Sequence, residues 1–319
     1  MPITQHFPFQ LHCKQIIAAL KKAKDSDDPA LFLHKSKLRT PLFMAESILR
    51  ISNTFISDKE IKEWYDLIKK LEDYLGAIDN YVTLLADFSK LKTVKSPQLE
   101  YISKKLDKTI DKLNKKLKKN DFYIKDLEEM NKSFKTNFND KRIVTKLHEE
   151  IRKELKEAAE FFSRFPSGFD DMELQVHELR RKLRWISIYG AAFDGLIAIK
   201  ETKEKYKWEK KFITPSVIKN PFNKLPVKKN LTHHINLNKK AFYALSFVID
   251  ELGKIKDKGL GIYSLEKSIR KTTDGKESDV EKTAIKQLNA KYTTASLLKE
   301  AHALLTAYFS TNKIHELLA

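Results

Sequence analysis

One short stretch collects most of the residues that could do chemistry: Glu173–Ile188, ELQVHELRRKLRWISI. On a helix of about 3.6 residues per turn, offsets of three, four and seven return to one side, so His177, Arg180, Arg181 and Arg184 fall within about 100° of one another. Val176, Leu179, Leu183 and Ile186 form the opposite, core-seeking stripe. The polar ridge sets one imidazole beside three guanidiniums. A guanidinium is a planar fork that can hold two phosphate oxygens and is more weakly hydrated than an ammonium. Arg180, Arg181 and Arg184, on successive turns, can meet successive phosphoryl units of an extended polyanion. The imidazole can donate to phosphate or become cationic beside it. The other reading of the same ridge is an exposed face salt-bridged to Glu173, Glu178 and further acids.

A second, sparser version lies near the N-terminus. Leu33-His34-Lys35-Ser36-Lys37-Leu38-Arg39 echoes Val176-His177-Glu178-Leu179-Arg180-Arg181-Lys182: an apolar residue, His, then cations three and five positions later. His34, Lys37 and Arg39 are its candidate anion contacts. Downstream, Leu75-Gly76-Ala77-Ile78-Asp79 echoes Leu252-Gly253-Lys254-Ile255-Lys256-Asp257, each Leu-Gly-x-Ile followed shortly by Asp. A Gly inside a helix costs about 1 kcal/mol relative to Ala, so Gly76 and Gly253 suggest a close approach of helices or a bend. The same pair of motifs, in the same order, once per half, points to two quasi-equivalent helical bundles about a pseudo-twofold axis.

These residues, His177 with Arg180, Arg181 and Arg184 and the later Leu-Gly-x-Ile segments, resemble the CHAD family, a histidine-containing helical domain. The resemblance spans about residues 10 to 315 and is closer in the second half. It implies two antiparallel four-helix bundles forming one elongated unit, with a basic central surface that binds inorganic polyphosphate. Family members usually continue the basic run, as in RxxxRRLR. Here Trp185 and Ser187 stand at the later basic positions, and Pro41 and Met44 lie near the corresponding turn of the first copy.

The elements that must carry these residues are helical by periodicity. Gln10–Lys24 reads as an amphipathic helix; the acids of the run Asp25-Ser26-Asp27-Asp28, followed by Pro29, then start another, Ala30–Ile51, whose hydrogen-bond ladder Pro41 should kink or interrupt. Helices follow from Asp58 to about Leu91 and from Ser96, where Leu99, Ile102, Leu106, Ile110, Leu113 and Leu117 step by three or four. Asp121–Phe134 and Lys141–Ser163 continue the pattern, the latter with Ile143, Leu147, Ile151 and Leu155 inward. Phe165-Pro166-Ser167-Gly168 is the clearest break and divides the chain into halves 1–164 and 165–319. The focal helix should run from about Asp170 to Glu201, followed by an irregular basic excursion at about 203–238, then helices over Lys239–Lys271, Ser278–Asn289 and Thr293–Leu318, with a polar turn at 271–278. The expected fold class is all-α.

The chain of 319 residues carries 61 Lys+Arg against 43 Asp+Glu, a formal charge of +18. Such a field concentrates anionic partners without dictating fold. The stretch 91–120 holds ten Lys against three acids, and 200–240 twelve against three. With 41% apolar residues the chain can bury a core, which argues against wholesale disorder. Cys13 is the single cysteine, so neither an internal disulfide nor a cysteine zinc cluster can form, which suits a reducing cytoplasm. The N-terminal residues lack the basic-then-apolar layout of a secretory signal, and Trp185–Ile199 is too short and too polar at Asp194 to span a bilayer. No membrane partner is expected.

Catalytic motifs are missing. GxxxxGK[ST], HExxH and GxSxG do not occur. His12 and Cys13 are neighbours whose side chains point apart on a helix, and His233-His234 has no third ligand at metal spacing. The reading is a non-catalytic binder of polyphosphate or a related polyanion, with no cofactor. Sequence-nonspecific nucleic-acid binding is the alternative, in which Tyr206, Trp208 and Phe212 among lysines could stack bases. A phosphoanhydride hydrolase is third.

Overall fold

Caps and turns set where the leucine periodicity becomes helix. In the computed structural model, which describes residues 5–273, 279–310 and 317–318, α1 (Pro8–Lys24) is followed by α2 (Pro29–Lys35), opened by Asp28 accepting from the Leu31 N–H at 3.1 Å. The chain then breaks at Lys37, which takes a left-handed φ of 57°, a conformation few non-glycine residues adopt. α3 (Arg39–Ser52) starts directly afterwards. The expected helix Ala30–Ile51 is thus interrupted, but at Lys37, four residues ahead of Pro41: Pro41 itself lies in the first turn of α3, where its missing N–H breaks no helical bond.

α4 (Lys59–Phe88) is capped by Asp58, and α5 (Ser96–Lys119) begins at Ser96-Pro97. A 3-10 turn, Asp121–Tyr123, leads into α6 (Ile124–Ser133), and α7 (Lys141–Ser163) is capped by Asp140. On α7, Val144, Leu147, Ile151 and Leu155 are buried; Ile143, expected inward, is only half-buried.

The focal segment departs most from expectation. It opens with a π-helical turn, Met172–His177, capped by Asp171, and continues as α8 (Glu178–Ala192). It ends nine residues short of Glu201 because Asp194 and Gly195 take φ of 44° and 91°. A Cβ on Gly195 would lie 2.7 Å from the Lys228 backbone N, so the two backbones approach too closely for any side chain. The β-branched residues that follow form β1 (Ile197–Lys200), which pairs in parallel with β2 (Ile235–Asn238) in register Ile197↔Ile235. The 203–238 excursion therefore ends in β2 itself, and residues 201–234 are the crossover between the two strands. It holds α9 (Glu209–Phe212), α10 (Pro215–Lys219) and a 3-10 turn at Pro221–Asn223, so it is less irregular than its prolines suggest.

α11 (Lys239–Thr272), α12 (Val280–Gln287) and α13 (Thr294–Phe309) close the chain. The expected turn over 274–278 and the helical extension over 311–316 lie outside the described residues; the expected helix does not include 317–318, where Leu318 pairs with Leu237 in an antiparallel bridge. Apart from the two-stranded sheet, the described fold is all-α. No described helix is long and apolar enough to cross a membrane.

The two halves share one buried core, which includes Phe9, Ile48 and Leu75 from the first and Leu179, Leu183 and Leu252 from the second. α3 packs against α4 on one side and α8 on the other, α8 against α11, and α5 against both α4 and α11. Polar contacts also cross the midpoint. His6 Nε2 and His12 Nε2 each lie 2.9 Å from the carbonyls of Phe193 and Ala192, so the N-terminal segment satisfies acceptors that the end of α8 leaves open. Arg50 reaches both Glu154 and the buried Tyr189 hydroxyl, tying α3, α7 and α8 together. Cys13 is buried and donates to the Leu127 carbonyl at 3.4 Å; burial pushes its thiol up to about 12. With His12 turned to Ala192, the two neighbours form no reactive pair.

Candidate polyanion site: an arginine cluster around Phe43

The glycines of the two Leu-Gly-x-Ile segments explain where the arginines go. On α4, Glu72, Gly76 and Asp79 share one face, since offsets of four and three return to the same side. Arg39, the first residue of α3, lies across that face. Its Nε donates to Glu72 Oε1 at 2.6 Å and its Nη1 to Asp79 Oδ2 at 3.1 Å. Between the two carboxylates the guanidinium rests on Gly76, where a Cβ would come within 2.9 Å of Nη2.

Arg180 on α8 treats α11 in the same way. Its Nε donates to the Ile249 carbonyl at 3.0 Å, and a Cβ on Gly253 would lie 3.1 Å from its Nη2. Burial lowers its pKa, against the opposing pull of Asp257 and Asp250. Each glycine therefore makes room for an arginine from the neighbouring helix. What approaches each glycine closely is a guanidinium of the neighbouring helix.

This contact also resets the correspondence between the copies. Matching the histidines pairs Lys37 with Arg180, whereas matching the arginine–glycine contacts pairs Arg39 with Arg180. The two registers of these sequence motifs differ because the chain breaks at Lys37 in the first motif and passes through a π-helical turn before the second. In the contact register, Phe43 and Arg184 correspond, each four residues beyond its arginine. These two residues meet: the Arg184 guanidinium lies over the Phe43 ring, 4.5 Å from its centroid, and Arg39 lies over the same ring at 5.1 Å.

Arg184 is the residue that sets the electrostatics. It is half-buried. Burial first, then the like charges of Arg180 and Arg39, push its pKa down to about 10, with Glu72 and Glu46 opposing. It stays charged at neutral pH. Among the described residues no carboxylate or other acceptor forms an ion pair or hydrogen bond with it; the Phe43 π-face is its recorded partner.

The other candidate residues occupy different surroundings. Arg181 is exposed and 3.4 Å from Glu178 Oε2 on its own helix. His177 is bonded through Nδ1 to Glu173 Oε1 at 2.9 Å, and burial, the largest influence, lowers its pKa. Lys37 projects from the exposed turn between α2 and α3, and His34 is half-buried near the end of α2. None of the bonds made by Arg39, Arg180 or Arg184 involves either of them among the described residues. The structure brings together Arg39, Arg180 and Arg184, and leaves His34, Lys37 and Arg181 outside their direct contacts.

Phe43, Glu46, Glu72 and Lys69 belong to these surroundings and went unread in the sequence. Phe43 and Glu46 stand four and seven residues beyond Arg39, and Glu72 four before Gly76, so helical spacing was the available signal. His234 turns Nδ1 to the Gly195 carbonyl at 3.2 Å, and no described group of His, Cys, Asp and Glu is arranged to hold a metal. A surface depression lined by Glu60, Glu63, Trp64, Leu67, Asp126 and Glu129 carries the wrong sign for an anion. Comparison of the chain with protein-family models, with curated proteins and with solved structures finds no match.

Proposed function

We propose that this protein binds inorganic polyphosphate, or a polyanion of similar chemistry, without catalysis, at the cluster of Arg39, Arg180 and Arg184. The observation that carries the reading is Arg184: a half-buried guanidinium with no anionic partner among the described residues, flanked by two more guanidiniums. Crowding like charges where water is partly excluded is unfavourable in the unliganded state. An oxyanion shared among the three would offset that repulsion, and two of them have unused N–H forks to offer. The formal charge of +18 adds a long-range field that draws polyanions in. The resemblance to the CHAD family, with its paired bundles, belongs to this proposal, as does a cytoplasmic location.

Nucleic acid is the competing ligand. Tyr206 and Trp208, which could have stacked bases, stack on each other at 4.8 Å and 15°, with Lys240 over Tyr206. Phe212, the third of the aromatics that could have stacked bases, is buried in the core, and with one face of Tyr206 and of Trp208 turned to the other the segment favours the phosphate-based reading. Calorimetric titration with long-chain polyphosphate at low salt tests the proposal. Saturable binding that weakens linearly with log salt, and displacement of RNA at matched phosphate concentration, are expected. No heat and no binding at low salt would end it, and RNA that polyphosphate cannot displace would transfer the site to nucleic acid.

A further inference from the structure

Three residues beyond Phe43 on α3, and so on the next turn of the same face, lies a carboxyl group that the binding site as described does not use. Glu46 is 3% exposed, and its Oε2 has no hydrogen-bond partner. A buried carboxylate without a partner is costly, and protonation is the ordinary way such a group is tolerated. The charged groups around it come from two helices. α4 supplies Glu72, Lys69, Asp73 and Tyr65; α8 supplies Arg181 and, more weakly coupled, Arg184. Glu72 is held by Arg39 and Lys69 by Asp73 at 2.8 Å, so the carboxylate and the ammonium with the largest influence on Glu46 are both already engaged. Elsewhere around α3, Glu154 of α7 is taken by Arg50 and Tyr189, and on α1 His12 and Cys13 are bonded to the carbonyls of Ala192 and Leu127.

We propose that Glu46 is the proton-linked residue of the anion site: it takes up one proton when a polyanion binds, and in its ionised form it opposes binding. The proposal rests on the reading of the arginine cluster as an anion site. Glu46 acts by its charge on Arg184, without touching the ligand, since its unbonded oxygen is shielded from solvent. Burial, followed by the charge of Glu72, raises its pKa from 4.5 to about 7. A bound anion beside Arg184 raises it further. Above about pH 7 the free protein is ionised at Glu46 while the complex is protonated, so affinity must fall as pH rises there, by at most about tenfold per pH unit for one linked proton.

A sulfated polysaccharide, whose sulfates do not titrate in this range, is the probe to use. Titrations between pH 6 and 8.5, in buffers of different ionisation enthalpy, should show a several-fold loss of affinity above pH 7 and uptake of about one proton. Glu46→Gln, the neutral near-isostere, should bind tightly with neither the pH slope nor the proton uptake. Wild-type affinity that is flat above pH 7, or a Glu46→Gln variant that keeps the slope, overturns the proposal. Should that variant fail to fold, the carbon-13 carboxyl resonance of Glu46 in the wild-type chain decides: its titration midpoint must rise on adding the polysaccharide, and an unmoved midpoint overturns the proposal. Absence of any binding at pH 6 would instead strike the anion site itself.

Discussion

The Arg184 guanidinium lies over the Phe43 ring, 4.5 Å from its centroid, and this contact joins α8 to α3. It gives a charged group a partner that is itself uncharged. The ring face offsets part of the desolvation cost of the cation, and leaves the N–H fork uncommitted.

Arg184→Ala should therefore weaken polyphosphate binding most, by roughly tenfold or more, the scale of one lost hydrogen bond to a charged group. Arg181→Ala should cost less, because Arg181 is exposed and near Glu178, and Lys37→Ala least. The same titration gives the salt dependence, whose slope should fall by about one for each phosphate contact removed. Equal losses at Arg184 and Lys37 would show that charge alone, without this geometry, governs binding.

Glycine replacement separates stability from function. Gly76→Ala and Gly253→Ala each replace a helix-interior glycine, a change worth about 1 kcal/mol of helix stability. Each added Cβ would also press on a guanidinium, at 2.9 Å for Arg39 and 3.1 Å for Arg180. A guanidinium is the far end of a flexible side chain and can move aside. Chemical unfolding should show stability unchanged or slightly raised, while anion affinity falls several-fold as the arginine is displaced. Unchanged affinity in both variants would mean that the arginines need not rest on the glycines to bind.

Acid sensitivity should trace to the histidines that cap α8. Burial, the largest cause, lowers the pKa of both His6 and His12; for His6 the charge of Lys228, whose ammonium lies 3.2 Å from Nδ1, lowers it further. Below pH 6.5 the unfolded chain binds protons that the folded chain refuses. Their contribution to stability is thus complete above 6.5 and is lost as pH falls through the two lowered values. Glu46 works in the opposite sense: its raised pKa contributes stability that is full below 4.5 and lost as pH rises through about 7. Urea midpoints measured at pH 7.5 and 5 should therefore fall less on acidification in His6→Gln and His12→Gln than in the wild type.

The helices were legible because helix formation and facing are local. Leu99 to Leu117 repeat at three and four, Asp58 and Asp140 stand at caps, and α7 begins and ends where its residue pattern predicts. The Leu-Gly-x-Ile repeat was legible for the same reason, as four residues in a row. Where local signals conflicted, reading failed. The interruption expected at Pro41 falls four residues earlier, at Lys37, and the apolar run after Ala192 looked helical although Asp194 and Gly195 end the helix. β1 needed a partner strand that lies beyond the whole 201–234 crossover, and no window on Ile197–Lys200 contains it.

By itself, the sequence determined the helical class, the inward stripes, the basic surplus and the presence of an arginine-rich face. Tertiary structure decided which of those arginines matter together. A long side chain lands wherever a neighbouring helix offers a carboxylate, a carbonyl, a ring or the gap left by a glycine, and desolvation depends on everything packed around it. Arg39 and Arg180 are laid down on Gly76 and Gly253, Arg181 stays in solvent beside Glu178, and Arg184 is carried to Phe43 from the other half of the chain. Periodicity within one helix holds no record of these meetings, because each depends on which helix stands opposite.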